Sequence, residues 1–372
     1  MTAIFTTPWR SLACATALLI GGTAGAAQAE NLVEQANRGL VELMIPGDAA
    51  ALAMAQDLAG LVNDGATRRI LPVVGRDATD GLLDLKALRG VDMLVAQTDV
   101  LAAARKTPAL ASATSAFTYV TKLNELELHV LARHDVKSVA DLAGKPVEFV
   151  GGARVTGPAG LDRLNITVEP RFDDRALALQ KLTAGEVQAV AYVAAKPTPL
   201  FGMLGGGDGL HFLPIAMTSA LADAYAPAQL TADDYPRLVA ADAPVDTVAV
   251  GSVLMVANLP PSTERYHSIA GFVDAFFTQF PHLLERPHLA AWRDVNLAAD
   301  LSGWQRFAPA QAWLKRNAVA QAAPVDPAEL HDIFGKFLDQ RARLAGGPPL
   351  SADEKQKLFD QFERWQQNNP SH

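Results

Sequence analysis

The stretch ELELHVLARHDVKSVADLAGKPVEF, residues 125–149, places an apolar strand on either side of a short charged segment. The apolar run over 126–133 predicts a largely buried strand. Ser138 is spaced to cap a helical turn with Asp141 at its third position, and Gly144 can end that turn. A second strand follows at once. The stretch therefore predicts a strand, one capped turn and another strand.

Short apolar strands alternate with helical patterns from about residue 41 to 245, which favours an α/β fold with mainly parallel strands. The predicted strands cover 40–46, 68–75, 91–97, 126–133 and 187–197, and the predicted helices cover 50–64, 80–90 and 174–186. The apolar stripe of the first helix consists of Leu52, Ala55, Leu58 and Val62. A long, nearly uncharged β run follows at 245–258, and the chain becomes helical after it.

The first residues follow the plan of a secretory signal peptide. One cation, Arg10, precedes a short apolar run from Leu12, and small residues lead to A-Q-A ending at Ala29. The apolar run is too short to span a bilayer. We expect residues 1–29 to be removed, and with them Cys14, the single cysteine of the chain.

The C-terminal part carries two helical patterns, 326–344 and 351–365, separated by a Gly/Pro-rich turn. The second begins with Ser351 and has Glu354 three residues later, which is the spacing of a capping box. We therefore predict a helical hairpin within 321–372.

Composition argues against several classes of function. The formal net charge is −8, and no Lys/Arg cluster is present, so nucleic acid is excluded as a partner. The eight histidines lack zinc-site spacing, and no G-x-S-x-G elbow is present. We predict no catalytic residue, no metal and no cofactor.

The segment FVGGARVTGPAG, residues 149–160, places two glycines five apart after a strand, as a P-loop would. Pro158 and Ala159 stand where a P-loop requires lysine and a hydroxyl, so nucleotide hydrolysis is rejected. Two interpretations remain: a connecting turn, or a ligand-contacting loop in which Arg154 and Thr156 face an anion.

Polar residues follow several predicted strands, at the edge where open α/β sheets bind ligands. They are Asp48, Arg76, Asp77, Thr79, Gln97, Thr98, Asp99 and Lys196. Each alone is compatible with a helix cap or turn, with Thr79 or Asp80 and Thr98 or Asp99 as the expected caps. Together they predict a polar cleft.

The chain resembles the TAXI family of solute receptors for TRAP transporters, within the type II periplasmic binding proteins. The stretch 125–149 is similar to the family's strand, charged turn and "K-S-L-x-D-L-x-G-K" segment, and LVAQTDV (94–100) resembles its "Q-S-D-V" loop. Residues 182–200, 245–258 and 306–317 resemble its "L-x-x-G-x-x-D-A-x-F" stretch, its return strand and its closing "H-P-G-A" segment.

The resemblance implies a two-lobed α/β fold of type II, with two strands crossing between the lobes near 120–130 and 245–256 and a C-terminal helical extension. Lobe 1 would comprise 30–122 and 245–320, lobe 2 would comprise 123–244, and the extension would be 321–372.

The resemblance also implies a ligand site. Carried over by position, the contacts are Gln97, Thr98 and Asp99 from lobe 1 and Arg154, Val155, Thr156 and Lys196 from lobe 2, while Arg76 to Thr79 occupy a second loop. The expected solute is a small carboxylate or amino-acid-like molecule paired with Arg76, Arg154 or Lys196.

The chain departs from the family in two places. Asp48 stands where the family has a neutral loop, and the spacing from Thr156 to the next strand predicts an abbreviated helix in lobe 2.

Two hypotheses follow. The first is a monomeric, non-enzymatic periplasmic receptor that passes its solute to TRAP permease subunits. The alternative is a periplasmic interaction protein that docks a partner through its C-terminal helices.

Overall fold

The computed structural model describes residues 37–321, 335 and 351–359, apart from 48, 66, 76, 89, 108–113, 203, 205–206, 208 and 286. The chain divides into a unit of residues 1–311 and a second unit of 312–372. The expected signal peptide lies outside the described residues, as does most of the expected hairpin. In the second unit, 352–359 is helical, and the Ser351 and Glu354 capping box is confirmed: each backbone N–H donates to the other side chain, at 2.9 and 3.4 Å.

The first unit is built on one ten-stranded sheet. Its strands are β1 (Leu40–Ile45), β2 (Arg69–Val74), β3 (Met93–Gln97), β4 (Phe117–Arg133), β5 (Pro146–Gly151), β6 (Glu169–Arg171), β7 (Ala189–Ala194), β8 (Leu210–Phe212), β9 (Ala226–Leu230) and β10 (Val245–Ala257). The helices are α1 (Ala49–Val62), α2 (Ala78–Ala87), α3 (Thr98–Ala104), α4 (Ala153–Arg163), α5 (Arg175–Ala184), α6 (Pro199–Gly202), α7 (Ser219–Ala222), α8 (Glu264–Leu283) and α9 (Ala308–Gln321).

The sheet has two halves. The strand order is β2-β1-β3-β10-β4-β7-β5-β6, with β8 on β4 and β9 on β10. Strand β1 is parallel to β2 and β3, and β5 is parallel to β6 and β7. We call the half with β1, β2 and β3 lobe 1 and the half with β5, β6 and β7 lobe 2. This topology confirms the two-lobed α/β fold, while the lobe boundaries at 123 and 245 stay predictions.

The long strands β4 and β10 connect the lobes and pair antiparallel with each other. Their register shifts between Gly251 and Val253 and again between Leu254 and Met255, and such irregularities bend a strand. Strand β4 begins at Phe117, nine residues earlier than predicted. The polar residues of its first half, among them Thr121 and Asn124, conceal it in the sequence although the fold buries them.

The segment 149–160 is neither a phosphate loop nor a turn. It runs from β5 directly into the eleven-residue helix α4, which begins before Thr156, while an abbreviation relative to the family stays a prediction. A Cβ added at Gly157 would lie 2.3 Å from Cδ1 of Phe149, so this glycine lets the helix pack closely on its own strand.

The first helix turns a slightly different face to the sheet than the sequence indicates. Met54, Ala55, Leu58 and Val62 are buried, whereas Leu52 is 40% exposed. Leu52 lies roughly 100° around the helix from the centre of the buried face, because each residue advances about 100°.

Arg306 fastens the segment 297–300 to the first crossing strand. Its buried guanidinium donates to the carbonyl oxygens of Val120 (3.1 Å) and of residues 297–299 (2.9–3.1 Å), and to Asp300 Oδ1 (3.2 Å). The guanidinium also lies 4.6 Å from the centre of the Tyr119 ring. One side chain therefore satisfies several carbonyl groups that this irregular segment would otherwise leave unpaired.

We expect Arg306→Lys to destabilise the protein by about 2 to 4 kcal/mol, because an ammonium cannot reach the same acceptors and leaves buried carbonyls unpaired. Urea unfolding should show a lower midpoint with an unchanged slope. The exposed Arg293→Lys is the matched control and should be neutral; equal stability of the two variants would contradict this role of Arg306.

Candidate functional site

Several residues predicted to bind a solute contact each other across the lobes. Gln97, at the end of β3, donates from Nε2 to the Gly152 carbonyl oxygen at 3.3 Å. A Cβ at Gly152 would lie 2.5 Å from that Nε2, so the glycine permits this approach. The carboxyl ends of β3 and β5 therefore meet directly.

Asp99 extends the contact between the lobes. Its carboxylate is buried, accepts the backbone N–H of Val100 at 2.8 Å and lies 3.5 Å from the Tyr225 hydroxyl of lobe 2. Burial raises the pKa of the Asp99 carboxyl, although nearby donors oppose the shift. Thr156 approaches Asp99 from lobe 2 without a well-formed hydrogen bond.

Val155 completes this contact, because it packs against the lobe 1 core cluster that contains Val100 and Leu101. We call Gln97, Asp99, Val155 and Thr156, with Gly152 and Tyr225, the interlobe contact. A ligand role for its members stays a prediction.

The remaining predicted residues are distributed as follows. Asp77 caps α2 by accepting the N–H groups of Thr79 and Asp80, both at 2.9 Å, so the expectation that Thr79 or Asp80 is the cap was wrong. Thr98 is the first residue of α3. Asp48 and Arg76 lie outside the described residues.

A cavity of about 290 Å³ lies between α1 and the residues that follow β7. We call it the main cavity. Its lining is largely apolar and comes from both lobes and both crossing strands. It consists of Leu43, Ile45, Pro46, Ala50, Ala51, Met54, Ala55, Leu58, Val95, Asn124, Leu126, Ala195, Lys196, Pro197, Ser252, Leu289, Ala290 and Ala291.

Asp57 holds one wall of the main cavity in place. Its carboxylate accepts from His288 Nδ1 (2.9 Å), the Leu289 N–H (3.1 Å) and Trp292 Nε1 (2.9 Å). Burial opposes ionisation, but these hydrogen bonds keep the pKa of the Asp57 carboxyl below its usual value. The wall at 289–291 is thereby tied to α1, the helix that carries Asp57.

The crossing strands supply polar groups to the cavity. Ser252 donates from Oγ to the Asn124 carbonyl oxygen at 2.8 Å, and Asn124 donates from Nδ2 to the Glu125 carbonyl oxygen at 2.9 Å. Both side chains are buried. These hydrogen bonds hold the Asn124 amide and the Ser252 hydroxyl, both in the lining of the cavity, against the strands that join the lobes.

Lys196 lines the cavity, but its charge is already matched. Its ammonium donates to the Gln229 carbonyl oxygen and lies 3.5 Å from Asp234 Oδ2 and 4.0 Å from Glu127 Oε1. The cavity thus meets a lysine whose cation faces two carboxylates.

Glu127 is the unusual member of that group. Burial raises the pKa of its carboxyl to about 7, against the opposing effect of Lys196 and with a further increase from Asp234. Its Oε2 is buried without a hydrogen-bond partner among the described residues.

His129 lies fully buried behind Glu127. The Glu127 carbonyl oxygen can only accept, so His129 Nδ1 carries the proton and donates to it at 3.0 Å. Nε2 of the neutral ring then accepts from the Tyr235 hydroxyl at 2.7 Å, and that hydroxyl accepts from the Thr198 N–H at 2.9 Å. Burial lowers the pKa of His129 to about 4, so the imidazole is neutral at ordinary pH.

A second, polar space of about 160 Å³ adjoins the main cavity. We call it the arginine pocket. It is lined by Pro46, Gly47, Val150, Gly151, Gly152, Arg154, Asp173, Asp174, Arg175 and Tyr192. Pro46 lines both spaces.

Other kinds of site are missing from the described part of the chain. No group of three or more His, Cys, Asp or Glu side chains there could hold a metal ion. Within the same residues, no helix is both long and apolar enough to cross a bilayer.

No protein-family model and no curated protein matches the chain. Solved structures do resemble it. They include the periplasmic binding protein BugD (11% identity, TM-score 0.44, covering 74% of this chain and 93% of that one). The alkanesulfonate-binding protein SsuA from Xanthomonas axonopodis pv. citri, bound to MOPS, shows 18% identity, a TM-score of 0.42 and coverage of 88% and 93%. Holo ArgBP from T. maritima shows 12% identity, a TM-score of 0.38 and coverage of 68% and 94%. At this level of similarity the function rests on the residues of the cavity.

Two of the residues predicted from the sequence, Lys196 and Arg154, line these spaces. The contribution of Ala51 and Met54 on α1 to the main cavity was not predicted, because an apolar helical stripe has the same pattern whether it faces a core or a cavity. Arg175 was also missed, although its position directly after two acidic residues at a helix start was a usable signal.

The raised pKa of Glu127 predicts a stability that falls with pH. Between the unfolded value of 4.5 and about 7, the folded state binds more protons, so the free energy of unfolding decreases as pH rises through this window. We expect Glu127→Gln to remove about 2 to 3 kcal/mol of this dependence.

Urea unfolding of both proteins at pH 5 and pH 8 measures the effect. The exposed Glu285→Gln is the control, and its free energy of unfolding should change between pH 5 and pH 8 as much as that of the parent. A Glu127→Gln variant with that same change would contradict the raised pKa of Glu127.

Proposed function

We propose that the chain is a periplasmic receptor that captures one small solute between its lobes and delivers it to a TRAP-type permease. The main cavity carries this proposal, because α1, the end of β7 and both crossing strands all contribute to its lining. A solute that touches all of these elements binds best when the lobes are together.

Movement of the lobes gives such a receptor its signal. The lobes are joined through β4 and β10, and the register shifts of this pair lie beside Ser252 of the cavity. A hinge at this position couples solute contact to lobe closure, and a permease can recognise the closed shape.

The cavity also limits the size and the chemistry of the solute. Its volume of about 290 Å³ lies at the small end for ligand pockets. The apolar walls fit an apolar body, and Asn124 and Ser252 offer hydrogen bonds to a polar group. The resemblance to TRAP receptors favours a carboxylate or an amino-acid-like solute.

Binding without chemistry fits the lining. Within the described residues, the main cavity has one ionisable side chain, Lys196, and its ammonium is occupied by Glu127 and Asp234. The Ser252 hydroxyl donates to a backbone carbonyl and not to a base.

A panel of small carboxylates, amino acids and neutral apolar compounds tests the proposal by thermal shift. A compound at 100 times its dissociation constant should stabilise the protein by about 2.7 kcal/mol. We expect Ala51→Leu, which fills part of the main cavity, to weaken binding of the active compound at least tenfold in calorimetry.

The control is Ala53→Leu on the same helix, since Ala53 does not line the cavity. It should bind as the parent does. Equal affinity of both variants, or a panel with no active compound, would count against the receptor.

Removal of 322–372 separates the two functional hypotheses. This truncation keeps α9, and the main cavity lies within the unit of residues 1–311. A receptor should retain its affinity within about twofold in calorimetry, because no cavity residue is lost. Loss of solute binding would contradict the receptor as described, whereas loss of a partner protein alone would favour the interaction protein.

A further inference from the structure

We propose that the arginine pocket binds the anionic end of a solute whose apolar body occupies the main cavity. The solute class is then a small monoanion with an apolar body. This inference rests on the proposed function, because it assigns the two ends of the same bound molecule.

The two spaces meet at one residue. Pro46 follows the carboxyl end of β1 and lines both the main cavity and the arginine pocket. The proposed solute would have to pass Pro46 for its anionic end to reach Arg154 and Arg175 from the main cavity.

The two arginines make no direct ion pair with a described carboxylate, although the pKa of the Asp173 carboxyl is lowered chiefly by Lys181 and also by the charge of Arg154. Arg154 donates from Nη2 to the carbonyl oxygens of Phe172 (2.5 Å) and Asp173 (3.3 Å), which orient the guanidinium but carry no formal charge. Arg175 Nη1 lies 3.5 Å from the Tyr192 hydroxyl, a long contact. Within the described residues, neither arginine forms an ion pair.

The acidic residues of the pocket are already engaged. Asp173 is paired with the ammonium of Lys181, which also lies 3.7 Å from Glu148 Oε1. Asp174 caps α5 by accepting the N–H groups of residues 176 and 177 at 2.9 and 3.0 Å. Asp174 keeps its negative charge, but its carboxylate is directed to the helix start, while the guanidinium groups make no direct ion pair among the described residues.

The opposite end of the main cavity disfavours an anion. There Lys196 faces both Asp234 and Glu127, so a ligand carboxylate would be placed beside the Asp234 carboxylate and, above about pH 7, beside an ionised Glu127 as well. Like charges at such distances repel strongly when partly buried. The charge distribution thus directs the anionic end toward Arg154 and Arg175, which can each bind a carboxylate through two hydrogen bonds.

Matched acids and amides test this assignment on the full chain. Calorimetry compares pentanoate, hexanoate, phenylacetate and 3-phenylpropionate with the corresponding primary amides, which have the same shape without the charge. We expect the best acid to bind at least tenfold tighter than its amide. Arg154→Gln and Arg175→Gln should each weaken the acid about tenfold and leave the amide within about twofold.

Arg171→Gln is the matched control, because this exposed arginine pairs with Glu169 and does not line either space. It should keep the acid preference. Asp48→Asn is included because Asp48 directly follows the pocket residue Gly47. Unchanged or tighter acid binding by this variant supports the proposal, and loss of acid binding overturns it.

The outcomes separate the inference from the proposed function. Equal binding of acids and amides, or an acid preference lost in Lys196→Gln but kept in both arginine variants, overturns the inference and leaves the receptor standing. Failure of every acid and amide to bind also overturns the inference. The proposed receptor function is contradicted as well only when no compound of the broader thermal-shift panel stabilises the protein. Unaltered amide binding shows that the arginine variants are folded.

Discussion

The antiparallel pairing of β4 and β10 is the constraint on which the molecule depends. These strands of 17 and 13 residues carry the chain between the lobes, and every other part of the sheet is attached to one side or the other of this pair. They also provide Asn124 and Ser252 to the cavity, together with Glu127 behind it. The proposed hinge and part of the cavity lining are therefore the same backbone, so that bending the pair would change the shape of the cavity.

Much of this fold could be predicted from the sequence, because strands and helices of a two-lobed α/β protein have clear apolar periods. The capped turn at 138–141 is an example: its capping box is present as the spacing indicated. The start of β4 could not be predicted in this way, because Thr118, Thr121 and Asn124 are buried with polar side chains and break the apolar pattern. The start of helix α4 was missed for the opposite reason: Gly157 and Pro158 indicate a turn, but the helix already begins at Ala153, with Gly157 close against Phe149.

The candidate site was less predictable than the fold. Strand ends identified Gln97 and Asp99, the 149–160 segment identified Thr156, and the family resemblance added Val155. Sequence cannot tell whether such residues surround a ligand or touch each other across two lobes. The main cavity arises where small side chains on α1 leave space, and a missing volume has no pattern of its own. The charges of Arg175 and Lys196 look equivalent in the sequence. Only the partners that the fold brings to each one distinguish an available cation from an occupied one.

The bond between Asp57 and Trp292 gives the protein an internal optical probe. The Trp292 indole is fully buried, its N–H is held by a carboxylate, and the preceding residues 289–291 form a wall of the main cavity. The emission of an indole depends on the electric field of its immediate surroundings, and a charged hydrogen-bond acceptor dominates that field. A solute that displaces the wall changes the distance between this fluorophore and its acceptor. Displacement of the wall would then appear in the intrinsic fluorescence of the chain without any attached label.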